Sequence, residues 1–153
     1  MTSNLSLAAR VISEGFLPAR SALLQGPREP VSGPVSPNRI RGMLLGLAIG
    51  DALGNTSESL PVLEREARHG EIRDYLPNSR SAGRRVGLPS DDSQLAFWTL
   101  ESLLERGGLD PDDLSARFAA REIFGLGKSM QQFLRNREQG AASWYHYGAE
   151  SAG

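Results

Sequence analysis

The sequence contains no cysteine and only two histidines, His69 and His146, among 153 residues. Without cysteine there can be no disulfide scaffold, no thiolate nucleophile and no thiolate ligand for zinc or an iron–sulfur cluster. Two histidines so far apart in the chain do not indicate a histidine-based zinc site. Any metal site must therefore use carboxylate and hydroxyl oxygens, which favour magnesium, manganese or calcium.

Excess charge of one sign and long apolar runs are also absent. Seventeen basic and eighteen acidic side chains leave a net charge of −1, which gives no overall attraction to nucleic acid or to an anionic membrane. The longest run of apolar residues and glycine, Gly42 to Gly50, is far shorter than the about 20 residues that span a bilayer. The N-terminus lacks the pattern of a secretory signal. We expect a cytoplasmic protein without nucleic-acid or membrane partners.

Prolines divide the chain into two unequal parts. Five of the nine prolines lie within residues 1–38, and four of these fall between Pro27 and Pro37, a stretch that cannot form a continuous helix. We predict that residues 1–38 are a proline-rich, poorly ordered extension or linker, and that one domain occupies residues 39–153. The weakly amphipathic residues 1–20 are compatible with a transit peptide or with an ordinary frayed helix.

The region after residue 38 shows helical rather than strand periodicity, so we predict an all-α helical bundle. Apolar residues from Ile40 to Ala48 follow the spacing of an amphipathic helix. Further helices are predicted over residues 59–69, 90–106, 111–124 and 128–139. Within the first helix, glycine recurs at positions 42, 46, 50 and 54. Each glycine costs a helix about 1 kcal/mol relative to alanine, so we expect another helix or a ligand to approach this face closely.

Asp51 takes the next position on the apolar stripe that begins at Ile40. A buried carboxylate must be paired, hydrogen-bonded or linked to a metal. If the helix frays before this point, the Asp51 side chain instead reaches water. The pattern supports both interpretations equally.

The segment Ser90-Asp91-Asp92-Ser93 is the sharper feature, because it stands at the predicted start of a helix. Free N–H groups and the helix dipole stabilise anions there, so ordinary N-terminal capping explains it. Alternatively, a hydroxyl and two adjacent, diverging carboxylates form an oxygen-ligand cluster for a hard divalent cation. The preceding loop of glycine and proline, and the apolar residues that follow, place the cluster near the core and favour the second interpretation.

A second acidic group, Asp110, Asp112 and Asp113, has a simpler interpretation. Asp110 followed by Pro111 is an ordinary helix start, and acidic residues are favoured in a first helical turn. We predict only structural roles for these three side chains. Glu58, taken by itself, is typical of a surface acid.

Three segments together, in this order, resemble the ADP-ribosylglycohydrolase family. Residues 41–54, Arg-Gly-Met-Leu-Leu-Gly-Leu-Ala-Ile-Gly-Asp-Ala-Leu-Gly, followed by Glu58, resemble the N-terminal signature of the family. Residues 87–96, Gly-Leu-Pro-Ser-Asp-Asp-Ser-Gln-Leu-Ala, are similar to its Thr/Ser-Asp-Asp-Thr/Ser metal motif. Residues 148–153, Gly-Ala-Glu-Ser-Ala-Gly, resemble the opening of its glycine-rich phosphate loop. The likeness covers about residues 39–153.

The resemblance implies an all-helical hydrolase that uses two magnesium ions, or manganese, and removes ADP-ribose from a protein side chain or a small acceptor. Ser90, Asp91 and Asp92 would then be metal ligands. Asp91, Asp92 and Glu58 would form the catalytic group. Asp51 would be a buried structural carboxylate, or would support the metal ligands without touching the ions.

The resemblance also implies a substrate site, formed by Glu58, Gly148, Ser151 and Gly153, in which the glycine-rich segment begins the diphosphate cradle. The family draws further ligands from a C-terminal Asp-x-Asp-Ser/Thr motif, which this sequence does not contain after residue 148. We therefore expect the chain alone to be an N-terminal portion that binds magnesium weakly, hydrolyses little and self-associates through uncovered apolar helix faces. Two other hypotheses stand beside the enzyme: a binding module without turnover, and a helical interaction domain in which the acidic cluster is only a cap.

Overall fold

The computed structural model describes residues 4–18, 20, 33–140 and 143–149. Six α-helices dominate these residues and confirm the all-α prediction. They are α1 (Asn4–Ser13), α2 (Pro37–Gly54), α3 (Val62–His69), α4 (Asp91–Arg106), α5 (Pro111–Ala120) and α6 (Lys128–Glu138). Of these, α1 lies within the segment interpreted as a proline-rich extension, and residues 21–32 of that segment lie outside the described residues. No helix in the described ranges combines the length and the apolar character needed to cross a membrane.

A small antiparallel hairpin stands between α3 and α4. Its strands are β1 (Pro77–Asn78) and β2 (Arg84–Arg85), in which Pro77 pairs with Arg85 and Asn78 with Arg84. A 3-10 turn over Ser79–Ser81 lies between the two strands. The sequence predicted only a loop here, because two-residue strands are too short to show alternating polarity.

Most helix ends lie where the capping residues in the sequence predict them. Pro37 stands at the first position of α2, where its missing N–H costs nothing. Gly107 ends α4 in the left-handed conformation, with φ 68°. The Asp110 carboxylate accepts a hydrogen bond from the Asp113 N–H at 3.0 Å and caps the start of α5.

The predicted end of α5 at residue 124 was wrong, since the helix stops at Ala120. Arg121 is extended, with φ −125° and ψ 152°. Gln94 of α4 then holds the departing chain, because its side-chain amide donates to the Glu122 carbonyl at 3.1 Å and accepts from the Phe124 N–H at 2.8 Å. The chain that leaves α5 is therefore held against α4.

The packing of α4 against α5 centres on Asp113. Its carboxylate accepts hydrogen bonds from Arg117 at 2.5 Å, Arg106 at 2.5 Å and the Ser102 hydroxyl at 2.7 Å. These partners hold the pKa of Asp113 well below its usual range. Asp113 thus joins two helices, which is a larger structural role than that of an ordinary first-turn acid.

The aromatic residues near position 145 pack against α1 and the turn that follows it. The Phe16 ring lies 5.2 Å from the Tyr145 ring and 5.0 Å from the His146 ring. The Tyr145 hydroxyl donates a hydrogen bond to the Glu14 carboxylate at 2.8 Å. The side chains of Phe16, Tyr145 and His146 therefore pack against one another within the chain.

Few apolar side chains are fully buried in the described residues, where only Val11 and Ala52 reach that state. The amphipathic pattern predicted for α2 was wrong, because apolar residues such as Leu45 also lie off the predicted stripe and α2 is apolar around its circumference. Met43 on the stripe and Leu45 off it are 66% and 62% exposed. A helix that is apolar on all sides is normally an interior helix. The uncovered faces agree with the expected exposure of apolar stripes on α2 and α4.

Candidate functional site

Asp51 joins the last turn of α2 to the first turn of α4. Its carboxylate accepts hydrogen bonds from the Ser90 N–H at 2.7 Å and the Ser90 hydroxyl at 2.6 Å. It also accepts from the Ser93 N–H at 3.2 Å and the Ser93 hydroxyl at 2.6 Å. Burial raises the pKa of Asp51, but the bonds from Ser90 and Ser93 outweigh burial and hold that pKa below its usual value. Asp51 is therefore a half-buried, ionised carboxylate and not a frayed side chain in water.

Asn55, which the sequence did not single out, reinforces this junction. Its side-chain amide donates to the Asp51 carboxylate at 3.1 Å and to the Leu88 carbonyl at 2.8 Å. The four-residue spacing between Asp51 and Asn55 is a recognisable helical pair. The bond to Leu88 depends on the approach of a distant loop, so no local pattern could have indicated it.

A cleft of about 490 Å³ opens at this junction, lined by Asp51, Glu58 and Asp92 and by the glycines Gly50 and Gly54. A Cβ built on either glycine would meet no other heavy atom within 4 Å. No described helix packs on the glycine face at this point. Both explanations for the repeated glycines, a packed helix and a ligand, therefore stay predictions.

Glu58 stands among like charges. Burial raises the pKa of Glu58, and the charges of Asp91, Asp92 and Asp51 raise it further. The structure thus brings the predicted metal ligands into electrostatic contact with the predicted substrate-pocket acid. A cation bound in the cleft would relieve the repulsion between these carboxylates.

Ser90 and Asp91 lie against the loop that follows α5. A Cβ on Gly125 would lie 3.0 Å from both the Asp91 Oδ1 atom and the Ser90 Cβ atom, and Gly125 has φ +77°. Glycine is required here both by space and by backbone conformation. Asp92 faces the cleft, so the two adjacent aspartates diverge as predicted. Sequence analysis did not identify Gly125, because its importance arises from residues distant in the chain.

The donor set suits a hard divalent cation but is incomplete. The hydroxyl of Ser90 and the carboxylates of Asp91 and Asp92 are ligands that magnesium and manganese prefer. Within the described residues, however, no three side chains of the His, Cys, Asp and Glu types gather closely enough to hold a metal. Metal binding by Ser90, Asp91 and Asp92 therefore stays a prediction.

Gly148 lies apart from the cleft. It lines a cavity of about 750 Å³ together with Lys128, Arg135 and Asn136. The Asn136 side-chain amide donates to the Gly148 carbonyl at 3.3 Å. Two cationic side chains near the start of the glycine-rich segment suit an anionic ligand. Ser151 and Gly153, the other residues of the predicted diphosphate cradle, lie outside the described residues.

The sequence profile of the ADP-ribosylglycohydrolase family matches residues 33–153. The chain belongs to this family. The match includes α2, the cleft and the whole acidic segment at the start of α4, whereas α1 precedes it. The family assignment agrees with the resemblance found in the sequence motifs.

The chain aligns with part of each of three relatives. It is 37% identical over 106 residues to an uncharacterized protein of Archaeoglobus fulgidus, an alignment that covers 67% of this chain and 34% of that protein. It is 37% identical over 79 residues to the uncharacterized protein YegU of Escherichia coli K12, covering 48% and 24%. It is 33% identical over 89 residues to the ADP-ribosyl-[dinitrogen reductase] glycohydrolase of Rhodospirillum rubrum, covering 58% and 30%. The chain thus spans about a third or less of these relatives.

Proposed function

We propose that this chain forms part of a metal-dependent hydrolase that releases ADP-ribose from a protein side chain or a small acceptor. The observation that carries the proposal is the meeting of Glu58 and Asp92 in one cleft of a family member. Ser90 is held beside that cleft by Asp51. The name of the Rhodospirillum rubrum relative, a glycohydrolase of ADP-ribosyl-[dinitrogen reductase], supports the substrate class.

In this proposal Ser90, Asp91 and Asp92 hold magnesium or manganese. Such a cation polarises ribose hydroxyls and activates water when it is bound. Asp91 and Asp92 stand in the first turn of α4, at the positive end of the helix dipole, which favours negative charge. Glu58, which lines the same cleft as Asp92, orients or gates the ribose.

The diphosphate is assigned to the glycine-rich segment that begins at Gly148. Backbone N–H groups of such loops bind phosphate oxygens. Lys128 and Arg135, which line the same cavity as Gly148, supply positive charge for that group. Ser151 and Gly153 complete this part of the proposal.

Calorimetric titration of the 153-residue chain tests the cation site directly. The parent is titrated with magnesium or manganese chloride and then with ADP-ribose, and is compared with Asp91→Asn/Asp92→Asn. The control is Asp112→Asn, which neutralises an exposed acid in the first turn of another helix. We expect binding by the parent and the control and loss of binding in the double variant. No heat from the parent would leave the acidic segment with a capping role only.

A binding module without turnover is the second candidate function. It is favoured by the absence, among the described residues, of a third acidic or histidine ligand beside Asp91 and Asp92. Such a module would bind ADP-ribose and leave an ADP-ribosylated peptide intact. Release of ADP-ribose by the chain, lost in Asp91→Asn/Asp92→Asn, would exclude the module.

A further inference from the structure

Helix α1 precedes the residues that match the family, which begin at residue 33, but it packs against them. Leu7 and Val11 of α1 line an apolar cavity of about 170 Å³ together with Pro111 of α5 and Trp144. Val11 is buried. Trp144 opens a 3-10 turn, Trp144–His146, that ends two residues before Gly148. Helix α1 therefore lies beside the approach to the glycine-rich segment.

Phe16, in the turn that follows α1, holds one side of this approach. Its N–H donates to the Val11 carbonyl at 3.0 Å, which ties Phe16 to the helix. Its ring lies 5.2 Å from the Tyr145 ring and, edge-on, 5.0 Å from the His146 ring. The hydroxyl of Tyr145 also donates to the Glu14 carboxylate at 2.8 Å. Phe16 thus contacts two consecutive side chains of the turn at once.

Helix α6 holds the other side. The Asn136 side-chain amide donates to the carbonyls of Tyr147, at 3.1 Å, and Gly148, at 3.3 Å. The Phe133 ring lies edge-on against the Tyr147 ring, with 5.5 Å between the ring centres. The chain that leads into Gly148 is therefore fixed between a helix of the family domain and a helix outside the family match.

The His146 side chain connects α1 to the cavity in which the diphosphate is proposed to bind. It contacts Phe16 and also lines the cavity of about 750 Å³ that contains Lys128, Arg135 and Gly148. In the part of the chain that the structure describes, neither Lys128 nor Arg135 has an ion-pair partner. Their charges are available to an anion, and an imidazole ring offers an N–H donor to the same anion in either protonation state.

We infer that Phe16 is a positioning residue, which holds the His146 ring at the wall of this cavity and so orders the site before a diphosphate binds. The inference rests on the proposed assignment of the diphosphate to this cavity. It adds that α1, although outside the family match, belongs to the same binding unit. A site that is ordered in advance binds more tightly, because less conformational entropy is lost when the ligand arrives.

The experiment is a titration of the full chain with inorganic pyrophosphate, followed by the backbone amide signals of Gly148 and Arg135, with thermal denaturation alongside. We expect Phe16→Ala to weaken pyrophosphate binding about three- to tenfold, as the loss of one preordered side chain commonly does. Phe16→Tyr keeps the ring and should bind close to the parent affinity. Val11→Ala is the matched control, because it loosens the packing of α1 but leaves the Phe16 ring on His146.

A double variant tests whether Phe16 acts through His146. His146→Ala should weaken pyrophosphate binding by at least as much as Phe16→Ala. Adding Phe16→Ala to His146→Ala should weaken binding little further, because both changes act through one ring. Val11→Ala should lower the melting temperature, since it removes buried apolar atoms, and should change the affinity less than Phe16→Ala does.

Three results would overturn the inference while leaving the proposed diphosphate site in place. The first is pyrophosphate binding by Phe16→Ala at the parent affinity. The second is equal weakening by Phe16→Ala and Val11→Ala in proportion to their losses of thermal stability, which is what a purely structural role gives. The third is full additivity of Phe16→Ala and His146→Ala. A parent chain whose Gly148 and Arg135 signals do not move at millimolar pyrophosphate would overturn the inference and the proposed diphosphate site together.

Discussion

Replacing Gly125 with alanine tests how tightly the loop after α5 covers the candidate cation site. The new Cβ atom would lie 3.0 Å from both Asp91 Oδ1 and Ser90 Cβ. It would also sit on a backbone with φ +77°, which residues with a side chain adopt only at a cost. The substitution therefore strains the loop and presses on two of the three predicted metal ligands.

The loss of folding stability expected for Gly125→Ala has two parts that can be measured separately. The left-handed backbone conformation costs about 1–2 kcal/mol for alanine. Crowding a well-packed contact adds about 1–3 kcal/mol. At about 4 °C per kcal/mol for a domain of this size, the melting temperature of Gly125→Ala should fall by roughly 8–20 °C.

Gly83→Ala is the matched control, because Gly83 has φ +76° but no other heavy atom within 4 Å of a Cβ built there. It should show the backbone cost only, about 4–8 °C at the same conversion. Differential scanning fluorimetry of both variants, with and without manganese, measures the two parts. We expect manganese to stabilise the parent and Gly83→Ala but not Gly125→Ala. Equal melting temperatures for the two variants would show that the loop does not press on Ser90 and Asp91.

Three further predictions concern charge and exposed surface. The pKa of Asp113 is lower in the folded chain than its value of about 3.9 in the unfolded chain. Asp113 therefore stabilises the fold above about pH 3.9, and this contribution is lost as the pH falls further. Melting temperatures of Asp113→Asn should depend less on pH than those of the parent between about pH 5 and 3. Carboxyl NMR should show the pKa of Glu58 above its usual value and lower in Asp91→Asn/Asp92→Asn, since two like charges are removed; an unchanged titration would contradict the proximity of these groups. In sedimentation, Leu45→Lys should reduce self-association more than Leu63→Lys, which alters an exposed leucine of α3.

Much of the helical framework could be predicted because its signals are local. The Asp110-Pro111 start of α5 and the glycines that end α3 and α4 behave as capping rules require. The hairpin at residues 77–85 and the early end of α5 could not be predicted in this way. Two-residue strands carry no periodicity, and the residues after α5 contact Gln94 of another helix, which is distant in the sequence.

The candidate site could likewise be predicted only in part, because some of its contacts join residues that are far apart in the sequence. The spacing of apolar residues predicted that Asp51 lies in a helix, and the motif predicted that Ser90, Asp91 and Asp92 lie at a helix start, and the structure has both. The apolar stripe predicted around Asp51 was wrong, because α2 is apolar on all sides. The sequence pattern could not predict the hydrogen-bond partners of Asp51, because the bonds to Ser90 and Ser93 connect residues 39 and 42 positions apart. Gly125 was missed for the same reason.

From the sequence, capping and cation binding were alternative explanations for the segment from Ser90 to Ser93, since one oxygen cannot easily do both. The structure assigns the capping of α4 to Asp51. Asp51 accepts the N–H of Ser93 and the proton of the Ser90 hydroxyl, so the first turn of α4 is capped without spending a lone pair of Ser90. The cap therefore comes from a residue 39 to 42 positions away in the chain and not from the local serine. Capping of α4 is thus shown by the hydrogen bonds of Asp51, whereas cation binding by Ser90, Asp91 and Asp92 stays a prediction.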